Sequence, residues 1–225
     1  MVMLRNMDEL MTLDLPNDHI AAAHVCACNP RGIKHYPIDW SVFFFCITLR
    51  KYQFSFPSCR RPDNCPHTVV GHPTSLPPPI TDKSPRPYSL LNSGTVVLNP
   101  SASLAEGLVK HLETSPQVAE WKFPDQDLLS EYFKGKWKPI SWYYNALRSL
   151  RNSHPAMWSD NEIRCLHYIF AVKPWHARIT PQGIETGFDV MDKWWWDRFD
   201  ELGGALAITD PKGWEYVLSV VDKRP

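Results

Sequence analysis

Thr95-Val96-Val97-Leu98 is a β-branched run closed by Asn99-Pro100, and two helical patterns follow it with little between them. The first runs from Ser101 to Thr114, with Ser101 placed to cap and Leu104, Leu108, Val109 and Leu112 sharing a face. The second is Phe123 to Phe133, FPDQDLLSEYF. Pro124 sets the turn, and Asp125 and Asp127 occupy the first turn, where the helix dipole favours negative charge. Leu128, Leu129, Tyr132 and Phe133 recur at helical spacing, and Lys134-Gly135 stops the helix. A buried strand feeding amphipathic helices demands a sheet for those helices to cover, which is an α/β plan.

Other short segments fit the same plan. Val2 to Leu4 reads as the end of a buried strand, followed by Asn6 as a cap with Glu9 in capping-box position. Ile20 to Cys28 is a second strand, bounded by Pro16-Asn17-Asp18 and Asn29-Pro30. Leu90 to Gly94 leads into the Thr95 strand as a tight polar turn, with Gly94 allowing close approach. Lys136 to Leu150 reads as strand and then loop around Trp142, Tyr143, Tyr144 and Asn145. Ile163 to Phe170 is a short apolar strand carrying His167. The spacing predicts a helix over Asp189 to Leu202, with Trp194, Trp195, Phe199 and Leu202 inward, ended by Gly203-Gly204. One more helix is predicted over Trp214 to Val221. Between them, Ser41 to Arg61 has no clean period, and Pro62 to Pro87 reads as Pro-rich extended loop. The aperiodic stretch is expected to be an exposed excursion.

Apolar residues make up 44% of the 225, so a sizeable core is within reach and wholesale disorder is excluded. Net charge is zero, which argues against a nucleic-acid partner held by bulk charge. The longest apolar run, Val42 to Leu49, falls far short of the roughly 20 residues a bilayer span needs. The six cysteines at 26, 28, 46, 59, 65 and 165 follow no secretory leader pattern and read as reduced thiols of a cytoplasmic protein. Cys59, Cys65 and His67 make a poor zinc signature, because no second close pair accompanies them.

Four separated sites are polar where a pure core would not need them: Asn92-Ser93-Gly94, Asp125-Gln126-Asp127, Tyr144-Asn145, and His167 with Lys173-Pro174-Trp175. Each has an ordinary explanation taken alone, as turn chemistry, a helix start, a core histidine or a loop lysine. Together and in order, LLNSGTVVLNPS, FPDQDLLSEYF, WYYNAL and HYIFAVKPW resemble glycosyltransferase family 8, the glycogenin and galactinol-synthase group. The resemblance covers roughly residues 1–39 and 62–175. It implies a GT-A fold and a retaining enzyme that uses a nucleotide-sugar, usually UDP-linked, with Mn²⁺. It also implies a carbohydrate, polyol or protein acceptor.

By that resemblance His167 is the imidazole ligand of the divalent cation, Lys173 reaches the donor diphosphate and Trp175 packs beside it. Asn92, Ser93 and Gly94 match the turn that approaches the donor sugar. Asp125 matches the carboxylate that orients sugar hydroxyls or the acceptor, and Gln126 the amide near the anomeric carbon. Phe170 departs from the pattern, since family members often carry Gly three residues after the metal histidine. MVMLRNMDEL resembles the segment directly following the family's Asp-x-Asp pair, which supplies the other metal ligands. The resemblance therefore implies an incomplete GT-A α/β/α sandwich with a mixed sheet, and a printed chain that is inactive. The expected organisation is a glycosyltransferase part at 1–177, interrupted by an irregular region at 41–87, and a helical extension at 178–225. The competing expectations are a non-catalytic carbohydrate-binding or interaction protein built on this fold, and a small zinc-binding protein using the Cys59 to His72 segment.

Overall fold

The structure is a computed structural model that describes residues 1–29, 31–40, 64–176 and 189–221. The segment expected to be an aperiodic excursion, at 41–61, lies outside the described residues. The chain divides into two compact units, Met3–Leu166 and Met1–Val2 with His167–Pro225.

The larger unit is built on a mixed sheet in the order β3-β2-β4, where β2 is Ile20–His24, β3 is Leu91–Leu98 and β4 is Trp137–Pro139. β2 runs antiparallel to β3 and parallel to β4. Every residue of β2 is buried, as a central strand covered on both faces must be. Its alternation divides the core in two. Ile20 and Ala22 join Leu91, Phe133 and Trp137 in one cluster, while Ala21 and Ala23 join Leu10, Leu15 and Ile140 in the other.

The first cluster is roofed by two helices, α1 (Ala102–Thr114) and α2 (Pro124–Tyr132). Ser101 caps α1 by accepting the Leu104 N–H at 3.2 Å. Leu104 and Leu108 of α1 and Leu129 and Tyr132 of α2 pack on the cluster. Val109 and Leu112, expected on the same inward face, are 56% and 45% exposed and lie outside the cluster that Leu104 and Leu108 join. Gly107 is fixed by contact: a Cβ there would overlap the Tyr132 hydroxyl. α2 ends as expected, with Gly135 in the left-handed region at φ 75°.

The second cluster is closed by a 3-10 turn, Asp8–Thr12. Asn6 does accept a backbone N–H here, from Asp8 at 2.5 Å. Glu9 does not complete the capping box, since its carboxylate instead accepts the Tyr144 hydroxyl at 3.0 Å. A second small sheet has the order β1-β6-β5, with β1 at Val2–Met3, β5 at Ala146–Leu147 and β6 at Cys165–His167. The unit boundary falls within β1 and within β6. A short helix, α3 (Leu150–Ser153), follows β5.

The smaller unit is dominated by two helices, α4 (Asp189–Thr209) and α5 (Pro211–Val220). Gly203-Gly204 does not end α4, contrary to expectation. Gly203 is buried against α5, and a Cβ there would overlap the Trp214 ring, so the glycine serves close helix packing. Met191, Trp196 and Phe199 are the buried large apolar side chains of α4, and Asp192 is buried as well, while Leu202 is 53% exposed. The break after α4 comes instead at Asp210, which caps α5 by accepting the Gly213 N–H at 3.0 Å. No helix among the described residues is long and apolar enough to cross a membrane.

Candidate functional site

Asn92, Ser93 and Gly94 lie inside β3, where the sequence suggested a turn leading into it. The β2–β3 ladder pairs Ala22 with Val96 and then Ala23 with Asn92. Ser93, Gly94 and Thr95 are therefore looped out across a single step of β2. Such a bulge bends a strand and re-aims its side chains. The Thr95 hydroxyl secures it by donating to the Tyr144 carbonyl at 3.0 Å.

The bulge fixes how Asn92 is held. A backbone N–H can only donate, so the Gly94 N–H at 3.1 Å identifies its partner as the Asn92 Oδ1. The same oxygen accepts Asn145 Nδ2 at 2.6 Å. Asn92 Nδ2 then faces Gln126, whose Oε1 accepts it at 3.0 Å. Gln126 and Asn145 are both buried. Three amides from β3, α2 and the Trp142–Asn145 3-10 turn thus form one chain with its donor direction set by a single backbone N–H.

Gln126 belongs to a polar stripe that sequence reading missed. Ser130, one helical turn on, is also buried and accepts the Leu91 N–H at 3.3 Å. α2 therefore meets β3 through hydrogen bonds as well as through its apolar side. The carboxylates flanking Gln126 have separate tasks. Asp127 Oδ2 accepts the Lys122 and Phe123 N–H groups at 2.7 and 2.8 Å, closing the start of the helix. Asp125 is exposed, and its Oδ2 accepts the Ser93 hydroxyl at 2.5 Å. Asn92, Ser93, Gly94, Asp125, Gln126 and Asn145 are thus brought together. Beside them, burial first and then the hydrogen bond to Glu9 push the Tyr144 phenol up, so it stays a donor.

His167, Lys173 and Trp175 belong to the smaller unit. His167 ends β6 and is half-buried. Lys173 Nζ donates to the Tyr168 carbonyl at 2.6 Å, and its backbone N–H donates to His176 Nδ1 at 3.2 Å. Trp175 lies against Trp195 with ring centroids 5.6 Å apart. The backbone between these residues is anchored by the Tyr168 hydroxyl on the Met191 carbonyl at 2.7 Å and by Trp196 Nε1 on the Pro174 carbonyl at 3.0 Å. Phe170, between His167 and Lys173, has φ 75°, the left-handed conformation that glycine adopts without cost.

Among the described residues, His167 is in no group of three or more potential metal ligands. The one such group is Cys26, Cys28, Cys65 and His154, all buried, with ligand atoms within 4.8 Å of one another. Cys59, which the sequence suggested beside Cys65, lies outside the described residues. His67 turns its Nε2 to the His24 carbonyl at 3.3 Å, and burial lowers its pKa to about 4. The sequence signal for the cluster was the close pair Cys26-Ala27-Cys28. The gaps to Cys65 and His154 gave no sign that the fold joins them.

A central mixed sheet covered by helices, with a polar bulge at the sheet–helix seam, makes this an α/β protein. The sequence profile described as Glycosyl transferase family 8 matches residues 1–178. The chain belongs to this family, and its mixed α/β architecture accords with the GT-A fold the family suggests. It is 31% identical to galactinol synthase 2 of Solanum lycopersicum over 219 residues, 96% of this chain and 54% of that protein. It is 30% identical to galactinol synthase 2 of Arabidopsis thaliana over 202 residues, 87% of this chain and 50% of the relative. Galactinol synthase 1 of Ajuga reptans is 29% identical over 202 residues, again 87% of this chain and 50% of the relative. The chain spans about half the length of the curated relatives it matches. No solved structure matches it significantly.

Proposed function

We propose that this glycosyltransferase chain carries the donor-sugar and acceptor side of an incomplete GT-A domain. That domain moves a hexosyl group from a UDP-sugar to a carbohydrate, polyol or protein acceptor with retention of configuration. In the reaction the anomeric carbon–oxygen bond to the diphosphate breaks and a bond to an acceptor hydroxyl oxygen forms. UDP leaves, and the hydroxyl proton is lost. The observation that carries the reading is the ordered amide chain Asn145–Asn92–Gln126 with Asp125 and Ser93 at its edge. Sugar hydroxyls are recognised by such fixed donors and acceptors, and catalysis needs them held before the substrate arrives.

In this reading Asp125 orients a hydroxyl of the sugar or acceptor, and Gln126 lies near the anomeric carbon. Asn92, Ser93 and Gly94 shape the donor-sugar wall. Lys173 places its ammonium on the diphosphate, with Trp175 beside it; the charge stabilises the leaving group. His167 is the imidazole for the divalent cation, Mn²⁺ in the family site, which neutralises diphosphate charge when bound. One imidazole does not hold such an ion, and among the described residues His167 belongs to no group of three or more potential ligands. The 225-residue chain is accordingly expected to turn over little UDP-sugar by itself.

The test is UDP release from a panel of UDP-sugars that includes UDP-galactose, with polyol acceptors and Mn²⁺. It is run on the chain and on a chimera joining it to the preceding half of a galactinol synthase. The chimera should release UDP, and Asp125→Asn, His167→Ala and Lys173→Ala should each remove most of that activity. Robust Mn²⁺-dependent release by the chain alone would refute the metal assignment. Sugar binding without release by a folded chimera would favour a non-catalytic carbohydrate-binding protein.

A further inference from the structure

The cysteine–histidine cluster stands apart from every group given a role above. Cys26 and Cys28 follow β2, Cys65 immediately precedes the Pro66–Val69 3-10 turn, and His154 terminates α3. The fold brings His154 to the three cysteines across sequence separations of 89 to 128 residues. His154 Nε2 lies 3.6 Å from Cys26 Sγ, 3.3 Å from Cys28 Sγ and 3.6 Å from Cys65 Sγ.

Those spacings have a chemical meaning. Zinc bonds of about 2.3 Å to sulfur and about 2.0–2.1 Å to nitrogen, at tetrahedral angles, hold S and N roughly 3.5 Å apart. One nitrogen at about that distance from three sulfurs is the edge pattern of a tetrahedron. A single S···N hydrogen bond has a similar length, but three sulfurs gathered around one nitrogen is the arrangement a shared ion sets.

The chemistry agrees with the geometry. Three sulfurs and an imidazole are soft donors, which select zinc over magnesium, calcium or manganese. Without an ion, the cluster gathers weak donors and weak acceptors in a place water does not reach. His154 Nδ1 has no hydrogen-bond partner among the described residues, and the ring packs edge-on against His67. Burial raises the Cys65 thiol, but hydrogen bonds from Cys26, Cys28 and His154 together outweigh it and hold the group well below its usual range. Hydrogen bonds to Cys28 and Cys65, aided by burial, push Cys26 well up.

We propose that Cys26, Cys28, Cys65 and His154 bind one structural zinc ion. Four protein ligands close the coordination sphere and leave no position for substrate, so the ion acts on the fold. It ties the exit of β2 to the Pro66–Val69 turn and to the end of α3. Since His24 and Ala23 pair with Leu91 and Asn92, the ion braces the strand beside the Asn92 bulge.

The experiment is elemental analysis of the untagged 225-residue chain purified from zinc-supplemented cells. The expected result is about one zinc per chain, as a closed four-ligand site requires. Cys28→Ser should lose most of that zinc, while Cys165→Ser, a buried cysteine outside the cluster, should keep it. Cobalt exchanged into the wild-type chain should show thiolate charge-transfer and tetrahedral d–d bands, and zinc X-ray absorption should count three sulfurs and one nitrogen. These two measurements decide the question if Cys28→Ser does not fold. A folded chain without zinc, a disulfide between Cys65 and Cys26 or Cys28 in mass spectra, or stoichiometric iron in place of zinc would each overturn the proposal.

Discussion

Replacing Asn92 by alanine tests whether the amide chain is a closed, load-sharing network or an open polar surface. The substitution removes three hydrogen bonds: to Gly94 N at 3.1 Å, Asn145 Nδ2 at 2.6 Å and Gln126 Oε1 at 3.0 Å. At about 1 kcal/mol net for each bond, the loss is about 3 kcal/mol. Gln126 is 6% and Asn145 2% exposed, so bulk water does not readily replace the missing amide. With a urea m-value of about 2 kcal/mol per M, the midpoint should fall by about 1.5 M without a change in slope. Urea unfolding followed by tryptophan fluorescence measures this. A double-mutant cycle with Asn145→Ala should return a coupling of about 1 kcal/mol, since the two residues share a bond. A loss under about 0.5 kcal/mol would show that solvent satisfies these groups, and the argument that the bulge fixes a preorganised wall would fall.

The adjacent glycines of α4 should respond with opposite signs. Gly203→Ala pushes a methyl into Trp214 and should cost about 1–2 kcal/mol after the helix-propensity gain, whereas Gly204→Ala meets nothing within 4 Å and should stabilise by up to about 1 kcal/mol. Equal stabilisation of both variants in thermal unfolding would remove the packing explanation. At Phe170, φ 75° should invert the usual order of substitutions, making Phe170→Gly more stable than Phe170→Ala by about 1 kcal/mol. Alanine matching or exceeding glycine in urea unfolding would mean that the left-handed conformation is not there. Hydrogen bonds from His19 and Lys136 lower the Asp18 carboxyl to about 2. Its folded pKa lies below its unfolded one, so its contribution is present above the unfolded value and is lost as pH falls through about 2. Carboxyl NMR titration should place it there and show it rising in His19→Ala; an ordinary aspartate value in the parent chain would contradict the pairing.

What the sequence made legible was local chemistry. Ser101, Pro124 and Gly135 mark helix ends through capping and backbone preference, and each signal acts within a few residues. The strand at Thr95–Leu98 was legible because β-branched residues ended at Asn99-Pro100. The Asn92 bulge was not, because it exists only relative to the register of β2. Gly203-Gly204 carries the same local signal as a helix stop, and only Trp214 across from it shows why glycine is needed there. Val109 and Leu112 obey the helical period of α1, yet a period cannot say which of its residues will find a partner in the fold. The Cys26, Cys28, Cys65 and His154 cluster was the least legible, since its parts are joined by tertiary structure alone. The polar motifs Asn92-Ser93-Gly94, Asp125-Gln126 and Tyr144-Asn145 were visible as polar residues out of place, though not as one hydrogen-bonded chain.

The two metal assignments differ in kind, and donor chemistry separates them. A catalytic site using His167 would be completed by oxygen ligands and would keep room for the donor diphosphate, so its ion exchanges with solution. The cluster at Cys26, Cys28, Cys65 and His154 is buried, sulfur-rich and closed. Brief dialysis against EDTA should therefore abolish Mn²⁺-dependent UDP release by the chimera while leaving its zinc in place, and added Mn²⁺ should restore the activity. Removing the zinc should require unfolding or a thiol-reactive mercurial, and it should lower the melting temperature before it changes any kinetic constant. If one chelator step removed both ions together, or if Mn²⁺ restored the melting temperature of zinc-free protein, the sulfur cluster and the catalytic ion could not be independent sites.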